Sequence, residues 1–207
     1  MLKQHFSSDQ SIIECGCDEA GRGCLAGPVV AAAVIFPADY QNEKINDSKQ
    51  LSRKAREELR SIIERDALAF AVSFVSEKEI DSLNILEASL TAMNRAVKQL
   101  AVKPQFLLID GNHFHNQTDI PFKCVIKGDA TYLNIAAASI LAKTYRDEFM
   151  MKLDAEYPVY QWKKNMGYPT KEHQDAVIKY GLSPYHRKSF HLKRLQPSLF
   201  DVDNSEG

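Results

Sequence analysis

Apolar residues recur along this chain with two periods. Ile12, Ile13, Cys15 and Cys17 within residues 11–18, and a nearly continuous Val, Ala, Ile and Phe run over residues 29–36, predict two strands joined by a glycine-rich hairpin turn. Residues 68–75 alternate enough for a third strand. Residues 105–109 and 122–126 are two more short apolar runs, which end at Asp110-Gly111-Asn112 and Lys127-Gly128-Asp129. The second period is helical. Ser52 opens a helix that runs to about residue 66, and Ser76 with Glu79, like Asn84 with Glu87, has the spacing of a helix N-terminus with a returning carboxylate. The second of these helices carries Leu86, Leu90, Met93, Val97 and Leu100 on one face. Residues 131–155 predict a long helix dense in Ala136, Ala137, Ala138 and Ala142, and small residues on a buried face let a helix lie close to a sheet. Thr170 caps a further helix that Gly181 ends, and Ser183-Pro184 start a short last one. The two termini lack such a pattern and are expected to be disordered.

At 207 residues and 44% hydrophobic content, the chain can bury the core of one large domain, or of one domain with a small appendage. Its longest apolar stretch, residues 28–37, is too short to span a bilayer, and the N-terminal residues lack the apolar segment of a signal peptide. A soluble cytoplasmic protein is therefore expected. Cys15, Cys17, Cys24 and Cys124 lie in or beside apolar segments without Cys-x-x-Cys spacing, which predicts reduced, buried thiols rather than structural zinc. The net charge of −1 hides an asymmetry: between Tyr160 and Arg194, eight Lys and Arg residues face only Glu172 and Asp175. Tyr160, Trp162, Tyr168, Tyr180, Tyr185 and Phe190 are interleaved with them, so this block predicts a polyanion-binding surface.

Candidate chemistry centres on Asp18-Glu19 followed by Gly21-Arg22-Gly23. Adjacent carboxylates repel, and Gly gives up packing, so the arrangement makes sense if a cation sits on the acids and a ligand needs the backbone. Taken alone, the stretch reads equally well as a solvated turn. Asp18, Asp110 and Asp129 each lie at or just beyond the end of a predicted strand, and strand ends converge on one rim of a sheet. Singly each Asp is a turn former. Together with Glu19 they offer oxygen-only donors from separate elements, which suits Mg²⁺ or Mn²⁺ rather than Zn²⁺ and leads to phosphodiester hydrolysis by two metal ions. Lys49 is placed in a loop, and Lys143 on the long helix.

Several of these motifs, in order, resemble the bacterial ribonuclease HII family. They are Cys17-Asp18-Glu19-Ala20-Gly21-Arg22-Gly23 with Leu25-Ala26-Gly27-Pro28-Val29-Val30; Asp47-Ser48-Lys49-Gln50-Leu51-Ser52; Ile109-Asp110-Gly111-Asn112; Lys127-Gly128-Asp129-Ala130; Ser139-Ile140-Leu141-Ala142-Lys143; Gly167-Tyr168; and His186-Arg187-Lys188-Ser189-Phe190. The resemblance implies an α/β fold, an RNase H-like mixed β-sheet flanked by helices with a C-terminal helical segment. It divides the chain into a catalytic domain over residues 11–155, a basic substrate-binding segment over 156–194 and a tail over 195–207. It implies a metal-dependent endonuclease that cuts the RNA strand of RNA–DNA hybrids and single ribonucleotides embedded in duplex DNA, leaving 5′-phosphate and 3′-hydroxyl ends. Asp18, Glu19, Asp110 and Asp129 would be the metal-binding catalytic carboxylates. Gly21, Arg22 and Gly23 would read the ribose 2′-hydroxyl, Tyr168 would stack at the RNA–DNA junction, and Lys49 and Lys143 would hold phosphates.

Two positions depart from the usual pattern: Cys24 stands where Pro is common and Cys17 where an aliphatic residue precedes the acid, so both bring a thiol near the metals. His113 and His115 read as a loop pair. In the tail, Gln196, Leu199 and Phe200 resemble the short motif that docks on a bacterial DNA sliding clamp, with Pro197 departing from the commoner Leu. The other readings are a ribonuclease HIII-like enzyme, disfavoured by the few residues before the first strand, and a non-catalytic hybrid-binding protein, disfavoured by the complete acid set. A monomer is expected.

Overall fold

β1 (Glu14–Ala20), β2 (Val29–Ile35) and β3 (Ala69–Val75) pair as an antiparallel meander, while β4 (Phe106–Asp110) and β5 (Phe122–Val125) add parallel on the other side of β1. The computed structural model, which describes residues 2–190, thus contains one five-stranded mixed sheet in the order β3-β2-β1-β4-β5. This is the expected sheet type. Residues 191–207, including Lys193, Arg194 and the tail motif at Gln196, Leu199 and Phe200, lie outside the described residues.

Helices α1 (Arg53–Asp66), α2 (Glu77–Leu83), α3 (Ile85–Lys98) and α4 (Leu133–Glu156) flank the sheet. The expected caps are present: Ser52 accepts from the Ala55 N–H, and Ser76 and Glu79 form a capping box. Asn84 caps α3 by accepting from Leu86 and Glu87. The strand period decides which side chains go where. Cys15, Cys17, Val29, Ala31, Ala33, Leu107 and Ile109 pack on one face against Leu90, Met93, Ala96 and Val97 of α3. Ala32 and Val34 face the other way, onto Leu59 and Ile63 of α1 and the alanines of α4. Each such Leu, Met or Val withdrawn from water is worth about 1.5–3 kcal/mol.

Helix α4 spans 24 residues and continues beyond the sheet, where Met150 and Leu153 form a third core with Ala26, Tyr160, Trp162, Met166, Ala176 and Val177. The C-terminal part is built on that extension, from α5 (Trp162–Asn165) and α6 (Lys171–Tyr180), the latter capped by Thr170 and ended by Gly181 in left-handed backbone as expected. Periodicity did not anticipate α5, which is four residues long, or the 3₁₀ turn over Pro158–Tyr160. Ser183-Pro184 do not start a helix. They form a turn in which the Ser183 N–H donates to His186 Nδ1 and the Ser183 hydroxyl accepts the Tyr185 N–H, and the chain then enters a bridge between His186 and Ala26 instead of a helix. Among the described residues no helix is long and apolar enough to cross a membrane.

α4 can reach β1 only because Gly16 has no side chain: a Cβ there would overlap the backbone of Asn134 and Ile135. Gly23, by contrast, has nothing near its missing Cβ. Gly16→Ala is therefore expected to destabilise the protein by about 2 kcal/mol or more through overpacking, and Gly23→Ala by less than about 0.5 kcal/mol. Denaturant midpoints of the two variants check this, and equal midpoints would contradict it.

Candidate active site

The parallel register of β1 and β4 sets Cys17 opposite Ile109, so the next residues along, Asp18 and Asp110, come side by side at the C-terminal rim of the two strands. The sequence placed Asp18 at a strand end. The structure instead carries β1 through to Ala20, so Asp18 and Glu19 are still paired, with Ala32 and Ala31 of β2, and the sheet itself fixes their direction. Asp129 arrives from a separate element, the 3₁₀ turn over Gly128–Ala130 after β5. That turn is tied to the rim by the Gly128 N–H, which donates to Asp110 Oδ1 at 2.7 Å. A side chain at 128 would collide with Ile135 and crowd the Asp110 carboxylate, so glycine is required there.

A cleft of 310 Å³ opens over this rim. Asp18, Glu19, Asp110, Lys49, Lys143 and Tyr168 line it together with Gly21, Arg22 and Gly23, so nine of the ten sequence-predicted catalytic and substrate residues meet in one place. The tenth, Asp129, is buried behind it and accepts from Lys49 Nζ at 2.9 Å. Among the described residues no three His, Cys, Asp or Glu side chains form a ready metal cluster.

The electrostatics of the rim are those of crowded, buried acids. Burial pushes the Asp18 carboxyl well above the usual carboxylate range, and the charges of Glu19 and Asp110 push it further. Burial also raises Asp110, with Asp129 acting in the same direction. Glu19 is raised by burial against the opposing pull of Arg22, whose Nη1 is 3.3 Å from Glu19 Oε1. The hydrogen bond to Asp129 in turn raises Lys49. Its ammonium is a cation already standing on the acid rim, and the donors are all hard oxygens, so the residues present fit Mg²⁺ or Mn²⁺.

Lys143 faces the cleft while its Nζ is held 2.8 Å from Asp147 and 5.6 Å from the Tyr168 ring centroid. Tyr168 is 40% exposed, leaving its ring open to a ligand. Cys17 does not bring a thiol to the acids. Strand alternation turns it to the α3 core, 3.8 Å from Cys15 Sγ, whereas Cys24 is buried beneath Tyr168. His113 and His115 do not line the cleft.

Two arginines missed or misread from sequence shape the turn over residues 21–28. Arg146 of α4 is wholly buried and donates to the carbonyls of Ala26 (3.0 Å), Pro28 (2.9 Å) and Met166 (2.7 Å). Arg187, counted above in the polyanion-binding block, is instead buried and donates to the carbonyls of Gly21 (2.7 Å), Arg22 (2.9 Å) and Gly27 (2.9 Å). It therefore organises the loop and does not contact solvent. The sequence signal for Arg146 was its spacing: it falls between Ala142 and Met150 on the core face of α4, where a lone charge needs buried partners. Gly21, with φ of 99°, packs directly on the Arg146 side chain.

The model of the family described as Ribonuclease HII matches residues 15–193. Ribonuclease HII of Bacteroides thetaiotaomicron is 61% identical over 192 residues, 93% of this chain and 95% of that protein. The crystal structure of the ribonuclease H2 from Pyrococcus horikoshii OT3 superposes with a TM-score of 0.74 at 27% identity, covering 86% of this chain and 93% of that one. The RNase HII in a PCNA complex from Archaeoglobus fulgidus superposes with a TM-score of 0.69 at 25% identity, covering 91% and 98%.

Because the folded-state pKa of Asp18 is raised, the unfolded chain ionises first as pH climbs out of the carboxylate range. The native state loses stability over that interval, and the deficit persists at neutral pH. Asp18→Asn keeps the shape and removes the charge. It is expected to raise Tm at neutral pH by roughly 2–4 °C, the shift made by about 1 kcal/mol in a chain of this size. A lower Tm in the variant, measured without divalent cations, would contradict this account of the rim.

Proposed function

The chain belongs to the ribonuclease HII family, and on that premise we propose that it cleaves the RNA strand of RNA–DNA hybrids and the strand beside single ribonucleotides embedded in duplex DNA. The observation that carries this reading is the adjacency, in one cleft, of the buried acid rim and the turn at Gly21, Arg22 and Gly23. In this reading Asp18, Glu19, Asp110 and Asp129 hold Mg²⁺ or Mn²⁺. When bound, such ions supply Lewis acidity that lowers the pKa of an attacking water and neutralises charge on the leaving oxygen, giving 5′-phosphate and 3′-hydroxyl ends.

The chain's own groups orient the duplex. Arg187 already occupies the carbonyls of Gly21 and Arg22, so in this reading the turn offers the ligand the N–H groups of Arg22 and Gly23, which are exposed residues. Backbone donors pressed against a sugar edge distinguish a 2′-hydroxyl from hydrogen, and the open space above Gly23 permits that approach. The exposed Tyr168 ring stacks on the sugar or base at the junction. Lys49 and Lys143 neutralise phosphates on either side of the acids. Residues 11–155 act as the catalytic domain and 156–194 as the substrate-binding segment. We assign the enzyme, as a cytoplasmic monomer, to the removal of ribonucleotides from DNA.

The test is cleavage of a duplex containing one ribonucleotide, with Mg²⁺ or Mn²⁺. Wild type is expected to cut beside the ribonucleotide, Asp110→Asn to be inert, and Tyr168→Ala to lose about tenfold or more, in line with about 1–3 kcal/mol per stacked base. An inert wild type would sink the reading. The A. fulgidus relative in complex with PCNA supports reading Gln196, Leu199 and Phe200 as a clamp-docking motif. Deleting residues 195–207 is then expected to abolish binding to the bacterial sliding clamp while cleavage of a short duplex is retained, and unchanged clamp affinity would refute that assignment.

A further inference from the structure

Behind Tyr168 lies a buried polar chain that the chemistry above leaves unused. His186 Nδ1 accepts from the Ser183 N–H at 2.9 Å, so its Nε2 carries the hydrogen. That nitrogen stands 3.1 Å from His173 Nε2, which also receives the Trp162 indole N–H at 3.0 Å. His173 Nε2 is thereby an acceptor, and its Nδ1–H points at the Tyr168 carbonyl, 2.9 Å away. Both rings are buried, and a neutral tautomer of each fits these contacts, with the one lone pair of His173 Nε2 shared between two N–H donors.

The same pair touches the other half of the ligand-facing surface. His186 forms an isolated antiparallel bridge with Ala26, flanked by the Gly27 N–H donating to the Tyr185 carbonyl at 2.8 Å and the Arg187 N–H donating to the Leu25 carbonyl at 2.9 Å. Next in sequence is Arg187, which holds the Gly21 and Arg22 carbonyls. The histidine pair thus has the Tyr168 backbone at one end and the C-terminal half of the turn, at Ala26, at the other.

We infer that His173 and His186 are positioning residues that fix the spacing between Tyr168 and the turn at Gly21, Arg22 and Gly23, and so set the discrimination of a single ribonucleotide. The inference rests on the function proposed above. The carboxylates do not depend on the pair, since β1 and β4 hold Asp18 and Asp110 directly. On a continuous hybrid any register brings a ribose to the turn, whereas with one ribonucleotide only one register is productive, so loosened spacing costs more there.

Protonation acts on the same bonds. A proton on His186 Nδ1 would oppose the Ser183 N–H, and one on His173 Nε2 would oppose two donors. Burial holds His173 below the ordinary histidine range and His186 at about 4. The groups facing the pair are Tyr160, edge-on to both rings, the Ser183 hydroxyl at His186, and Trp162 from α5, with Tyr185 against Trp162; Arg187, next in sequence, is turned to the loop carbonyls.

The experiment compares kcat/KM on a one-ribonucleotide duplex with that on a continuous hybrid. His173→Phe, folded by circular dichroism, is expected to lose about tenfold or more on the first substrate and under about threefold on the second. His173→Asn, which returns an N–H near the Nδ1 position, is expected to restore the ratio. Equal losses on both substrates, or none, would overturn the inference. Should His173→Phe not fold, His186→Asn decides by the same ratio at neutral pH: the Asn Oδ1 keeps an acceptor near Nδ1 for the Ser183 N–H and removes the contact with His173, and an unchanged ratio overturns the inference. A wild type inert on both duplexes defeats the proposed function, and this inference with it.

Discussion

The backbone of α4 lies on β1 at Gly16, and the geometry of the cleft follows from that contact. A methyl group there would collide with peptide atoms of Asn134 and Ile135, which cannot yield as a flexible side chain would. With the helix held so close, its successive turns reach places that β1 and its neighbours also reach. Ser139 meets Ser48 at 2.9 Å beside the acids, Lys143 enters the cleft, and Arg146 passes beneath the turn that follows β1. Farther on, Met150 and Leu153 seed the core of the C-terminal part. One helix therefore serves the acid rim, the loop and the aromatic platform.

The rim stores unfavourable electrostatics on this scaffold. Asp18 and Asp110 are forced together by the strand register, and their carboxyls are raised by burial and by their acidic neighbours. Lys49 offsets part of this at Asp129, and Arg22 part at Glu19. Rigid strands make such an arrangement tolerable, because the acids cannot separate without breaking the β1–β4 ladder. The loop beside them is stabilised by a different means: two buried guanidiniums satisfy its carbonyls, and the N–H groups of Leu25 and Gly27 donate to the carbonyls of Gly167 and Tyr185, which turns an irregular segment into a defined one.

Much of this was legible in the chain. The five strands, the caps at Ser52, Ser76, Asn84 and Thr170, and the long Ala-rich helix appear where period and capping chemistry place them. The acids were identified as a set from their position after apolar runs. What pattern could not show was the end of β1, because Asp and Glu inside a strand look like a turn signal until a neighbouring strand supplies their pairing. Arg187 was counted as solvent-facing charge since local composition is blind to burial. Ser183-Pro184 look like a helix start, but the residues after them are drawn into the bridge between His186 and Ala26.

By itself, then, the sequence determined the element types, the hard oxygen donors and the glycines that permit close approach, since these depend on side-chain chemistry and on spacing along a few residues. Only the tertiary structure decided which of those groups share a cleft. The parallel register beside Asp18, the two arginines under the turn and the histidine pair behind Tyr168 all join residues more than ten positions apart in the chain. Their bonds exist only once the sheet, α4 and the C-terminal part have packed, which is why no local pattern announces them.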